Sequence, residues 1–118
     1  MSLFIDPDEA QIQASKKAGA DIIELHTGAY AEQEDNALRE SELARLQEAA
    51  QVAHNLELQV NAGHGLHYQN VQEIAAIPEL VCLNIGHSIV ARAAITGFYD
   101  AVFTMKKLMI DARLDAEN

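Results

Sequence analysis

Four short β-like runs alternate with four helix-like segments along this chain of 118 residues. That alternation constrains the fold more than any other feature, because strands joined through helices lie parallel in one sheet. The first run is Ser2 to Asp6, and Pro7-Asp8-Glu9 is a helix-start signal whose acidic residues suit a first turn. This helix extends to about Ala18, and Gly19 stops it. Asp21 to Leu25 forms the second strand, a longer connection covers His26 to Asn36, and an amphipathic helix spans Ala37 to His54. Leu56 to Val60 is the third strand, ending in the glycine-bracketed turn Asn61-Ala62-Gly63-His64-Gly65-Leu66. A short helix from Tyr68 to Ala76 stops ahead of Pro78. Leu80 to Ile85 is the fourth strand, and Gly86-His87-Ser88 opens a long helix reaching Arg113, with a frayed tail from Leu114 to Asn118.

Strands one, two and four are near-continuous apolar runs, as expected of a parallel sheet buried on both faces, while the third alternates more. No change in composition marks a linker, so residues 1–118 read as one domain. An open doubly wound sheet fits the strand count. So does half of an eight-stranded α/β barrel, since the closed barrel needs about 250 residues.

The placement of unusual residues favours the barrel. Strand carboxyl ends carry Asp6, then Glu24 and His26, then Asn61 with His64, then Asn84 with His87. Barrel enzymes build their active sites on that rim, with a phosphate site commonly formed by the last two strand-to-helix loops. If the chain supplies the last four units of a barrel, those loops are Gly63-His64-Gly65 and Gly86-His87-Ser88. Glycine allows close approach of an anion to the backbone, and the first amides of a helix point outward without partners. A plain tight turn explains either glycine loop alone; two on consecutive strand ends make binding an equally good account. His64, between glycines, suits acid–base work near neutral pH. Glu24 reads as an orienting group or the partner in an ion pair, and His54 and His67 as surface residues.

Other chemistries lose ground. The sequence has no G-x-G-x-x-G, no G-x-x-x-x-G-K-[ST], no G-x-S-x-G, and no H-x-H or H-E-x-x-H spacing, so neither a metal nor any other cofactor is expected. Eighteen acidic against eight basic residues give a net charge of -10, which opposes nucleic acid and anionic membranes as partners. The lone cysteine, Cys82, sits within Leu80-Val81-Cys82-Leu83 and reads as a buried small hydrophobe. A single thiol forms no internal disulfide, in keeping with a reducing cytoplasm, and the amino terminus shows no export signal.

Five segments taken together carry a resemblance: Ser2-Leu3-Phe4-Ile5-Asp6, Ile23-Glu24-Leu25-His26-Thr27-Gly28, Val60-Asn61-Ala62-Gly63-His64-Gly65-Leu66, Ala75-Ala76-Ile77-Pro78-Glu79 and Leu83-Asn84-Ile85-Gly86-His87. In order and spacing they resemble the second half of the pyridoxine 5'-phosphate synthase family. The resemblance implies an α/β fold of four βα units, the C-terminal half of a TIM (β/α)₈ barrel supplying strands five to eight. It implies a cytoplasmic transferase of vitamin B6 biosynthesis, which condenses 3-amino-2-oxopropyl phosphate with 1-deoxy-D-xylulose 5-phosphate. It makes His64 the proton donor and Gly65 a contact to the aminoketone phosphate, with Gly86 and His87 completing that site. Family members are about twice as long and form homo-octamers, and their first half carries bases and arginines with no counterpart here. The implied partners are therefore phosphorylated small molecules and a missing N-terminal half, and the chain alone is expected to be inactive. The alternative is a non-catalytic half-barrel that self-associates and binds a phosphometabolite.

Overall fold

A computed structural model describes residues 1–117. The element order is β1 (Ser2–Ile5), α1 (Glu9–Lys17), β2 (Ile22–His26), α2 (Gly28–Ala31), α3 (Asn36–Asn55), β3 (Gln59–Gly63), α4 (Val71–Ala75), β4 (Leu80–Asn84), α5 (His87–Thr96) and α6 (Phe98–Glu117). The strands form one parallel sheet in the order β1-β2-β3-β4, each paired with its neighbour in sequence. That sequential parallel order is the sheet of half a TIM barrel.

Register divides the side chains between two faces. Leu3 and Ile5 align with Ile23 and Leu25, these with Val60 and Ala62, and Ala62 with Leu83. This face lies under the helices, where Ile23, Leu25, Val60 and Ala62 join Ile12, Leu46, Ala50, Ala53 and Ile74 in the core. The opposite row, Phe4, Glu24, Asn61 and Cys82, faces away from the helices. Burial on both faces, expected for the strands, therefore holds on one only. Cys82 is exposed rather than buried, because its register places it on the uncovered row of an edge strand. Val81 is the extra residue of a bulge between Val60 and Asn61, and it too is exposed.

The helices follow local chemistry. Asp35 caps α3 by accepting from the amides of Ala37 and Leu38, and the helix is rich in Ala, Leu and Glu. α1 carries Glu9 in its first turn and Lys16 and Lys17 in its last, matching the helix dipole. The Arg113 guanidinium on α6 donates to the carbonyls of Ala75, Ile77 and Leu80 at 2.9–3.0 Å, fixing α6 to the α4–β4 connection.

Several boundaries differ from expectation. β3 starts three residues late, since the Leu56 amide still bonds Val52 and Ala53 of α3, and Glu57 turns the chain at φ 63°. The Glu57 amide bonds the His54 carbonyl and that of Leu58 bonds Ala53, the pattern that usually places glycine at the turn. β3 thus runs through Asn61, Ala62 and Gly63, the first half of the expected loop. The connection after β2 contains the single-turn α2, and α4 is only Val71–Ala75. The long last helix is two helices broken at Gly97, whose φ is 88°. α6 continues through Glu117, so the expected fraying from Leu114 is absent, and Asn118 lies outside the described residues.

Candidate functional site

β3 and β4 end side by side, with Gly63 paired to Asn84. The loops that leave them line one open cleft of about 780 Å³, together with Phe4 and Glu24 from the neighbouring strands. His64, Gly65, Gly86 and His87 all line it, as do Asn84 and Ser88. Asp6 and Asn61 lie outside. His26 sits one ring behind, its centroid 4.6 Å from that of His64.

The loop after β3 is set by hydrogen bonds to three consecutive carbonyls. The Thr27 hydroxyl donates to the His64 carbonyl at 2.6 Å, Asn70 Nδ2 to that of Gly65 at 3.2 Å, and the Ser88 hydroxyl to that of Leu66 at 2.9 Å. Asn70 is itself buried, accepting from the His67 amide through Oδ1 (2.7 Å) and from the Tyr30 hydroxyl through its carbonyl (2.8 Å). Burial and the charge on Glu73 push the Tyr30 hydroxyl up to about 12, so the phenol stays a donor at every ordinary pH. Among the described residues nothing accepts from the Gly65 or Leu66 amides. The first amides of α5 are free of intrahelical partners as at any helix start.

These contacts hold His64 at φ 94° and Gly65 at φ 76°. For histidine this backbone region carries strain on the order of 1–3 kcal/mol, sustained only where the surroundings enforce it. Glycine is required nearby for space. A Cβ on Gly63 would stand 2.5 Å from Glu24 Oε1 and 2.8 Å from the Asn84 carbonyl. The absence of that carbon lets the Glu24 carboxylate reach the cleft. A Cβ on Gly28 would overlap the His26 ring and come within 3.1 Å of the His64 ring.

Reading the sequence alone missed several contributors. His67 is half-buried and lines the cleft instead of standing free on the surface, because Asn70 draws its amide inward. Phe4 also lines it, and Thr27, Asn70 and Ser88 shape it. Short polar residues at those positions signal turns in general, and only the fold shows which carbonyls they reach. Among the described residues no group of three His, Cys, Asp or Glu side chains stands close enough to hold a metal ion. No described helix is long and apolar enough to cross a membrane.

Free amides at two adjacent strand ends, with an imidazole and a carboxylate beside them, stand on the rim where enzymes of the barrel class bind ligands, an arrangement chemically suited to an anion and to proton movement. Comparison with known proteins narrows the class. The chain belongs to the family described as pyridoxal phosphate biosynthesis protein PdxJ, whose model matches residues 1–111. It is 58% identical over 113 residues to a pyridoxine 5'-phosphate synthase of Idiomarina loihiensis, covering 96% of this chain and 47% of that protein. The chain thus spans about half the length of the curated relative.

Proposed function

We propose that this chain is the phosphate-binding, proton-donating half of a pyridoxine 5'-phosphate synthase. The complete enzyme condenses 3-amino-2-oxopropyl phosphate with 1-deoxy-D-xylulose 5-phosphate and closes the pyridine ring of pyridoxine 5'-phosphate. The observation that carries this reading is the shared cleft, onto which the corner after β3, with His64 at its centre, and the corner after β4 both open. The phosphate of the aminoketone binds at Gly65, Gly86 and His87, held by amides and by the positive end of α5, so the chain's acidity does not prevent binding. His64 delivers a proton as water leaves during ring formation, and the bound phosphate keeps the reacting carbon in its reach. The other substrate and the bases come from an N-terminal half that closes the barrel. A cytoplasmic location and a homo-octamer belong to the same reading.

The test is reconstitution. Coexpressed with an N-terminal half from the family, the chain is expected to give turnover of both substrates, and alone to give none. His64→Asn in the reconstituted enzyme should lower kcat by about two to four orders of magnitude, the usual contribution of a general acid. Undiminished turnover in that variant removes the proton-donor role.

A second reading has its own support. Val81 on the free edge of β4, with Ile110 and Leu114 on α6, leaves apolar surface exposed beside unpaired strand backbone. A non-catalytic half-barrel that self-associates through this edge and binds a phosphometabolite fits that surface. Persistent inactivity on reconstitution, with dimers in solution, would favour it.

A further inference from the structure

Immediately behind His64 lies a second imidazole to which no role in the reaction has been given. His26 ends β2, half-buried, with its ring between two others: Phe4 at 5.0 Å and His64 at 4.6 Å between centroids, tilted 36° and 32°. Its Nδ1 accepts from the Gly28 amide at 3.0 Å. An atom that accepts a hydrogen bond carries no proton, so this bond selects the tautomer with its proton on Nε2. Protonating Nδ1 would turn a proton against the Gly28 N–H and break that bond. The neighbouring residues serve the same end: Thr27 clamps the His64 carbonyl, and Gly28 lacks the Cβ that would displace both rings. Phe4 and Gly28 contribute no charge to the pair, while Glu24, His67 and His87 are the titratable side chains that line the adjoining cleft.

We propose that His26 is a positioning residue for His64. It offers a ring face against which the His64 imidazole packs, so that the His64 ring is held toward the cleft. The inference rests on reading His64 as the proton donor, but its test needs neither substrate nor an N-terminal half.

NMR of the ¹⁵N,¹³C-labelled chain reports both the tautomer and the orientation. His26 is expected to show a bare Nδ1, the acceptor of the Gly28 amide. Replacing the ring by an amide, His26→Asn, should remove the ring-current shift on the His64 ring protons and average the His64 side chain over its rotamers, read from its χ1 couplings. His26→Phe keeps a ring face and should preserve a single His64 rotamer. A protonated Nδ1 on His26, a single His64 rotamer in His26→Asn, or equal averaging in His26→Phe overturns the proposal. Failure of the proton-donor reading shows elsewhere, as retained turnover in reconstituted His64→Asn.

Discussion

The first three βα units and the fourth differ sharply in what they bury. From β1 through α4 the helices cover one sheet face, and Ile12, Ile23, Leu25, Ala50, Val60 and Ile74 are almost wholly shielded. In the last unit α5 buries no residue, and α6 buries only Ala101 and Met105. Ile95, Phe98, Tyr99, Val102 and Phe103 remain exposed there. The contrast teaches that the stability of this chain resides in its first three units, while the fourth is held by particular polar contacts and presents apolar surface outward. Half of the candidate cleft hangs on that weaker unit.

Paired truncations offer the largest test of this contrast. Leu25→Ala should cost about 2–5 kcal/mol in urea unfolding, as for other core leucines, whereas Ile95→Ala should fall within about 0.5 kcal/mol of zero. A cost for Ile95→Ala near that of Leu25→Ala, growing with protein concentration, would mean that a second copy covers α5. Next in size is Arg113→Ala, which removes the three carbonyl contacts anchoring α6. Charged hydrogen bonds of this kind contribute about 1.5–3 kcal/mol, and the loss should be accompanied by faster amide exchange in α6 than in α3. An unchanged exchange pattern would place the anchor elsewhere.

The smallest effect is a pH dependence confined to the first three units. The folded chain holds the Tyr30 hydroxyl at about 12 against 10.0 unshifted, so the folded state keeps its proton where the unfolded state loses it. Stability from this group is complete below pH 10 and is lost as pH rises toward 12. Tyr30→Phe should flatten the stability curve over that window, at the cost of the bond to Asn70. A curve that still falls as steeply assigns the loss to other groups.

The sequence announced the alternation of elements and the parallel order because strands one, two and four are apolar runs and helix-like segments separate all four. It also carried the family, through strings such as Asn61-Ala62-Gly63-His64-Gly65. What it hid has physical causes. Glu57 performs a turn usually reserved for glycine, so nothing in the local composition marked the end of α3 or the late start of β3. Gly97 sits in a helix-compatible stretch, and a lone glycine there does not say whether the helix bends or breaks. Cys82 was misjudged because an apolar neighbourhood in sequence does not reveal which face of the sheet goes uncovered. The four positions that the sequence singled out, His64, Gly65, Gly86 and His87, line one cleft, and their roles there belong to the proposal. Of the residues that tether the loop, Thr27 and Ser88 act across 37 and 22 residues of sequence, which no local pattern encodes, while Asn70 reaches back only five.

The three tethered carbonyls have a consequence for how the chain assembles. Thr27 follows β2, Asn70 precedes α4 and Ser88 opens α5, so the loop at residues 64–66 receives one strap from each of three regions. Its shape therefore depends on all three at once, so a change in any one of these regions is felt directly by the backbone that carries His64.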